Sequence, residues 1–474
     1  MKLHCYLPEF WAEYRKENPA LITPQGRYSW SELSSEVLDI SRQLLAEGLQ
    51  SGDVLACVSK NSTELLFLYL ACVRIGVIPA LIAPQPLSPL VEKLQQIGCR
   101  SVWLGKEALA KTDSREQNSI RQHFNCIDPL QNNGGNKALP AVSALPEKAI
   151  VSLIFTSGSS GQAKAAAHCA ENHLASAQGL LDVFEYKQAD CWLLSLPMFH
   201  VSGLAIVWRW LSVGAVLKIG EGGNLADDLY QVSHASLVPT QLKRLLDKQH
   251  QISLTHVLLG GSHIPAELAN RAKARGISTW LGYGMTEAAS TVTAKQVDGK
   301  SGVGNVLPGR KIKLNGQNIL IGGKTLALGY FYQGELTPLT DNGWFDSKDL
   351  GCRQDGELRI LGRADNQFIS GGENIHCEEI ESVLLQHKDI GLAFVVPVAD
   401  AEFGARPVAL LSCNGELDPE QYKPLLTSRL DRFKWPIAYF QLPETVLQGQ
   451  GIKVSRISVK QWFSEHQSTY QLVI

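Results

Sequence analysis

The chain has 474 residues, room for roughly two to four domains and for a large buried core. Lys plus Arg number 44 against 46 Asp plus Glu, a formal net charge of −2, so the basic excess expected of a nucleic-acid binder is missing. Hydrophobic residues make up 45%, which excludes wholesale disorder, and 41 glycines point to tight turns and to backbone that approaches a ligand closely.

Ten cysteines are scattered along the chain, at 5, 57, 72, 99, 126, 169, 191, 352, 377 and 413, with no C-x-x-C pair. That usage predicts reduced thiols in a cytoplasmic protein, not a disulfide framework or a zinc site. The first twenty residues carry charges and prolines where a signal peptide has an apolar run. The apolar stretch Leu65 to Val73 is too short to span a bilayer and ends at Arg74. A soluble, cytoplasmic protein without membrane insertion is expected.

Trp30 to Leu49 has apolar residues at helical spacing and stops at Gly48. VLACVS reads as a strand. Asn61 can cap the next helix, STELLFLYLACVRIG, which ends on glycine. IPALIAP and SVWLG are further strands. This alternation predicts a mostly parallel sheet with helices on its faces. Residues 131–149, polar and then Pro/Ala-rich, read as a surface connection. AIVSLIF, CWLLSLP, AVLKIG, ASLVP, HVLLG and STWLGYG continue as buried strands. From about residue 312 the elements shorten into hairpins with glycine turns (KIKLNGQNILIGG, DLGCRQDGELRILGR). After Arg363 come strands LAFVVPV and PVALLSC and helices EEIESVLLQH and YKPLLTSRL. The expected class is α/β, with domains at 1–363 and 364–474: parallel or mixed sheets flanked by helices plus a small β-subdomain, then a small α+β domain.

Five segments carry chemistry. The first runs Ile154-Phe155-Thr156-Ser157-Gly158-Ser159-Ser160-Gly161-Gln162-Ala163-Lys164 and then into a helix-like stretch. Successive N–H groups and hydroxyls in such a loop form an anion nest, and Lys164 adds charge, although a plain Ser/Gly loop has the same composition. It is not a Walker A loop, because Ala165 follows the lysine. The second is Gly282-Tyr283-Gly284-Met285-Thr286-Glu287, a glycine turn with a stacking face, a phosphate donor and an oxygen ligand for Mg²⁺. The third is Ser347-Lys348-Asp349 with Gly362-Arg363-Ala364-Asp365, where an acid suits vicinal ribose hydroxyls and a surface ion pair is the plainer alternative. The fourth is Gly372-Glu373-Asn374 with Glu378, Glu379 and Glu381, acids that suit a helix N-terminus structurally. The fifth is Gly451-Ile452-Lys453-Val454-Ser455-Arg456, a lysine on a glycine-rich loop.

In this order the five segments resemble the acyl-adenylate-forming, or AMP-binding, superfamily of acyl-CoA synthetases, luciferases and peptide-synthetase adenylation domains. The resemblance extends from RYSWSELS to the terminal lysine loop. It implies a phosphate loop at Thr156, Ser157, Gly158, Ser159, Ser160, Gly161 and Lys164. It implies an adenine pocket lined by Gly260, Gly261 and Ser262, with Tyr283 stacked on the ring beside Gly284. Thr286 is then the α-phosphate ligand, Glu287 the Mg²⁺ ligand, Asp349 the ribose aspartate and Arg363 its neighbour. Lys453 is the catalytic lysine of adenylation. Asp365 is a hinge about which a mobile C-terminal domain turns to bring Ser370, Gly371 and Gly372 to the site for thioester formation. ATP, Mg²⁺ and CoA follow as cofactor and co-substrates. Three departures stand out: Ala163 and Ala165 where the superfamily has Pro and Gly, Lys348 where it has Gly, and Ile452 splitting the usual Gly-Lys pair.

SLPMFHVSGLAIVWRWL, HASLVPTQLKRLL, FISGGENIHCEEIE and VPVADAEFGARPVA resemble most the o-succinylbenzoate–CoA ligase family of menaquinone synthesis. Such a diacid leaves one carboxylate unreacted, which calls for a cation in an apolar pocket. Arg209, between Trp208 and Trp210, is the candidate, with His200, Ser202 and Thr291 as further contacts. A helix arginine paired to a neighbour or reaching solvent is the alternative. Another acyl- or aryl-CoA ligase, a carrier-loading adenylation enzyme and a non-catalytic nucleotide-binding protein are the competing functions. A homo-oligomer is compatible with the resemblance.

Overall fold

The structure is a computed structural model. It describes residues 6–111, 114–130, 138–139, 148–156, 163–248, 252–260, 264–370, 373–400, 402–413, 415, 417–447 and 454–466. Most of the 131–149 connection and the residues Ser157 to Gln162, Gly261, Ser262, Gly371, Gly372 and Gly451 to Lys453 lie outside them.

Among the described residues two large sheets dominate. The first has nine strands. Its centre is parallel: Ser278–Met285, His256–Leu259, His234–Leu237, Cys191–Leu193, Val216–Lys218 and Pro19–Thr23 lie side by side. Ser290–Gln296 returns antiparallel beside Ser278–Met285. The second sheet has eight strands and a parallel half made of Ile150–Thr156, Ile78–Ile82, Val54–Val58, Ser101–Leu104 and Asn125–Cys126. Lys164–Cys169, Gly329–Tyr332 and Glu335–Pro338 extend it antiparallel.

Helices Trp30–Ala46, Thr63–Ile75, Ala170–Leu181 and Val201–Val213 supply the largest hydrophobic cluster. Val201–Val213 is apolar almost all round and is buried accordingly. Within it Trp210 stacks on Trp30 at 5.1 Å between ring centroids and donates its indole N–H to the carbonyls of Ala20 and Ala215. That one side chain joins two helices and the edge of the first sheet.

Arg310–Asn315, Asn318–Gly323, Trp344–Gln354 and Glu357–Arg363 form a four-stranded antiparallel sheet. Its last hairpin turns on Asp355 and Gly356, both left-handed at φ 52° and 82°, the geometry a tight two-residue turn demands. Beyond it lie the hairpin Gln367–Ser370 with Glu373–His376 and the sheet Ile390–Asp400, Gly404–Cys413 and Ala438–Gln441. Helices Cys377–Leu384 and Arg456–His466 pack there around hydrophobic clusters separate from the large one. Arg456 reaches the buried Glu381, which also accepts from the Val395 N–H. The architecture is therefore the α/β arrangement expected: large mixed sheets with helices, a β-subdomain and a small α+β part.

Three local expectations are corrected. The stretch after Lys164 is the strand Lys164–Cys169, not a helix. Its alanines favour helix intrinsically, but they lie between two strands, Ala165, Ala166 and Ala167 fully buried, and tertiary pairing overrides propensity. Gly282-Tyr283-Gly284 is not a turn. The strand runs on to Met285, with a bulge between Tyr283 and Gly284. Ser62, not Asn61, caps helix Thr63–Ile75, accepting from the Leu65 N–H. The Asn61 amide instead holds the 194–198 loop, bonding Leu194 O, Leu196 O and Met198 N.

Trp210→Ala removes the stacked indole and its two hydrogen bonds at once. A cost of about 3–5 kcal/mol follows from a buried Trp truncation, so the melting temperature measured by scanning calorimetry drops by several degrees. An unchanged melting temperature would remove Trp210 from its place as a keystone of the core.

Candidate active site

Most of the described site residues gather on one hairpin and on the strands that grip it. Ser278–Met285 delivers Tyr283, a single 3-10 turn Thr286–Ala288 follows, and Ser290–Gln296 returns with Thr291. The turn is tight. A Cβ on Gly284 would lie 1.8 Å from the Ser290 carbonyl oxygen, so only glycine fits. Ala289 and Ser290 are left-handed at φ 49° and 92°. Strain of this kind persists only where the surroundings over-determine it, and clusters at functional sites.

On the side of the four-stranded sheet, the Tyr283 hydroxyl donates to Asp349 Oδ2 at 2.6 Å. Asp349 is 7% exposed, and Arg363 Nη1 reaches its other oxygen at 3.1 Å and the Ser347 carbonyl at 3.0 Å. Burial pushes the Asp349 carboxyl up from its usual range, against the pull of Tyr283 and Arg363. The same guanidinium holds Asp365 through Nε and Nη2, at 3.2 and 3.3 Å. One arginine thus bridges the carboxylate beside Tyr283 and the carboxylate of the following segment.

Lys348 occupies the superfamily's glycine position, and its φ is 61°. The left-handed conformation is held by Asp346, which accepts from both the Lys348 N–H and its ammonium. Ser347 Oγ accepts from the Asp349 N–H, so the loop keeps its shape without the glycine.

On the side of the eight-stranded sheet, Thr156 and Lys164 are register partners at the ends of adjacent antiparallel strands, flanking the loop expected to bind phosphate. The Lys164 ammonium lies 5.0 Å from the centre of the Tyr330 ring, and the Tyr330 hydroxyl donates to Glu287 Oε1 at 2.9 Å. Lys164 and Glu287 are therefore joined through a tyrosine that the motifs did not flag. Tyr330 arrives by strand pairing with Ala166, which no local pattern announces. No cluster of three or more metal-binding side chains occurs among the described residues. A lone half-buried carboxylate fits Mg²⁺ carried in on nucleotide phosphates, because that ion is held by one or two carboxylates plus phosphate oxygens and water.

Arg209 is 1% exposed, at the centre of Val201–Val213. Its Nη2 lies 3.4 Å from Thr291 Oγ1 and its guanidinium 5.3 Å from the Trp192 ring centre. Among the described residues no carboxylate pairs with it, and its Nε–H has no acceptor. Burial, and then the charge of Arg310, pulls its pKa down to about 9, the mark of a buried cation with no anion beside it. It does not reach solvent. Ser202 is half-buried on the same helix. His200, exposed, stands at the N-cap of the same helix. Gly260 follows its strand with open space where a Cβ would lie. Ser370 is buried in the hairpin with Glu373.

These contacts combine a buried carboxylate held by a tyrosine and an arginine, a strained turn bearing Thr286 and Glu287, and a separate buried cation. The family model described as AMP-binding enzyme matches residues 8–331. The chain belongs to the AMP-binding enzyme family. A 2-succinylbenzoate–CoA ligase of Haemophilus influenzae is 40% identical over 460 residues, covering 94% of this chain and 95% of that protein. A variant of Escherichia coli MenE with bound OSB-AMS has a TM-score of 0.86 at 35% identity, covering 98% and 99% of the two chains. The o-succinylbenzoate CoA synthetase of Bacillus subtilis, in complex with ATP and magnesium ion, has a TM-score of 0.83 at 25% identity, covering 92% and 96%. A double mutant of that enzyme with the product analogue OSB-NCoA matches at 0.68, covering 92% and 95%.

Lys348→Gly relieves a left-handed non-glycine residue, worth ~1–2 kcal/mol, and gives up an exposed ion pair worth ~0.2–1 kcal/mol. The melting temperature is expected to stay level or rise. A clear fall would show that the Lys348–Asp346 pair outweighs the strain.

Proposed function

We propose that the protein is an AMP-forming acid–thiol ligase that converts 2-succinylbenzoate, ATP and CoA to 2-succinylbenzoyl-CoA, AMP and pyrophosphate, a step of menaquinone synthesis. The observation that carries the acyl assignment is Arg209, a buried guanidinium without a carboxylate partner among the described residues, on the same hairpin contact as Thr291. The full-length likeness to 2-succinylbenzoate–CoA ligases supports the same reading.

A carboxylate and ATP repel one another, and a carboxylate is a poor acyl donor. In the first half-reaction a carboxylate oxygen of the succinyl arm attacks the α-phosphorus. The bond to the bridging oxygen breaks, and pyrophosphate leaves with its electrons. Asp349 and Arg363 hold the ribose end, Tyr283 and Gly260 line the base, and Thr286 donates to the α-phosphate. Glu287 holds Mg²⁺, which when bound neutralises phosphate charge. Lys164 and Lys453 supply fixed cations to charge developing on the phosphates. In the second half-reaction the CoA thiol, losing its proton, attacks the acyl carbon and AMP departs. Lys453 serves the first step alone, since the segment after Asp365 turns between steps and brings in Ser370.

Pyrophosphate release with CoA is expected for 2-succinylbenzoate and not for benzoate or medium-chain acids. In Arg209→Met the KM for the diacid rises by about 100-fold, the loss typical of truncating one side of a buried charge pair, while a monocarboxylic analogue is used as before. An unchanged KM for the diacid removes Arg209 from the pocket. Lys453→Ala loses about 10²–10³-fold in adenylation and far less in thioester formation from supplied adenylate. Equal loss in both half-reactions would end this division of labour.

A further inference from the structure

His168 is fully buried, and its Nε2 lies 2.8 Å from the Thr286 carbonyl oxygen. A carbonyl only accepts, so Nε2 carries the proton and the ring is the Nε2–H tautomer. Burial pulls its pKa down to about 4, so the imidazole is neutral under ordinary conditions and its single N–H is committed to this bond. In the strand Lys164–Cys169, side chains alternate, so Lys164 and His168 project from the same face. Lys164 thereby faces Tyr330 and Glu287 while His168 takes the carbonyl one residue earlier.

The His168 ring is itself fixed. It packs on His173 at 5.0 Å, and His173 stacks on Trp208 at 5.1 Å with planes 11° apart. His173 Nε2 bonds Ser152 Oγ at 2.8 Å, and the Trp208 indole donates to the Tyr69 hydroxyl at 2.8 Å. The residue after Trp208 is Arg209, so the ring stack joins the helix of the buried guanidinium to the turn that bears Thr286 and Glu287.

The turn needs such support. Among the described residues Thr286 O otherwise accepts only the closing bond of a 3-10 turn, from Ala289 N at 3.1 Å, and the next carbonyl, Glu287 O, accepts from Ala327 N at 2.8 Å. With both carbonyls clamped, the hydroxyl of Thr286 and the carboxylate of Glu287 have defined directions. We propose that His168 is a positioning residue for the nucleotide's phosphate: its Nε2–H anchors the Thr286 peptide and so aims the Thr286 and Glu287 side chains. The inference rests on the assignment of Thr286 and Glu287 to the nucleotide, and not on which acid is activated.

The test is AMP binding by calorimetry without any acid or metal, together with ATP–pyrophosphate exchange. His168→Leu is expected to weaken AMP binding about tenfold, one well-placed hydrogen bond to a rigid site, and to slow exchange by at least as much, with the KM for CoA unmoved. His168→Gln, whose amide N–H reaches the same carbonyl, restores AMP affinity to within about threefold of the parent. A merely structural histidine would lower the melting temperature in both variants and leave AMP affinity of the folded protein unchanged; that result overturns the proposal. So does a glutamine variant that binds AMP as poorly as the leucine one. If the leucine variant does not fold, His168→Asn, whose shorter amide falls short of the carbonyl, takes its place: a roughly tenfold loss of AMP affinity is expected, and parental affinity overturns the proposal. Failure to consume 2-succinylbenzoate with AMP binding intact would instead count against the acyl assignment alone.

Discussion

The close approach of Gly284 to the Ser290 carbonyl governs the site. It lets the hairpin fold back within a single 3-10 turn, and that compression puts Tyr283, Thr286, Glu287 and Thr291 within a few residues of one another. Left-handed Ala289 and Ser290 are the cost, and other elements hold the strained backbone in place. His168 takes Thr286 O, Ala327 takes Glu287 O, Ser176 takes Ala289 O, and Arg310 takes Thr291 O. Each clamp comes from a different part of the chain. A short strained turn has become the fixed point where both large sheets meet.

The candidate site residues stand out in the sequence because few residue types can do the work expected of them. Asp349, Glu287 and Arg209 are the residues expected to meet ribose, Mg²⁺ and a spare carboxylate. The parallel strands were legible from short apolar runs between helical segments. Lys164–Cys169 misread as helix because its three alanines carry a local preference that strand pairing on both sides overrules. The Gly-Tyr-Gly segment misread as a turn because glycine there answers a steric demand made by Ser290, across the hairpin. Tyr330, His168 and Arg310 left no trace in any motif. Their partners come from distant elements, and only the three-dimensional pairing of strands gives a tyrosine or a histidine a carboxylate or a carbonyl to hold.

Lys348 shows how a departure from a superfamily pattern can be absorbed. Where a glycine would adopt φ 61° freely, this chain uses a lysine whose own N–H and ammonium both return to Asp346. The two bonds replace conformational freedom with local enthalpy. Asp349, one residue on, therefore stays where Tyr283 and Arg363 need it. The bidentate hold of Arg363 on Asp365 then carries that geometry into the segment that follows, so Asp349 and the start of the C-terminal part share one cation.

Arg209 and Arg310 show why global neutrality says little about the site. Both are buried arginines near Thr291, yet they are satisfied differently. Arg310 spends its donors on the carbonyls of Thr291, Ala175, Pro308 and Ser176, so its charge is solvated by backbone dipoles and its role is to brace the turn. Arg209 has one long contact to Thr291 Oγ1, an aromatic face and an unused Nε–H. A buried charge left so poorly compensated is destabilising to the protein alone. Arg310 makes this worse, since it adds a like charge close by. Together the two set like positive charges close to one another in the buried core beside Thr291. On the proposed function, free energy held at Arg209 would be released when the second carboxylate of a diacid arrives. A monocarboxylic acid of similar shape has no group to collect it. On that reading, selectivity for a diacid would follow from the missing partner as much as from any contact that is present.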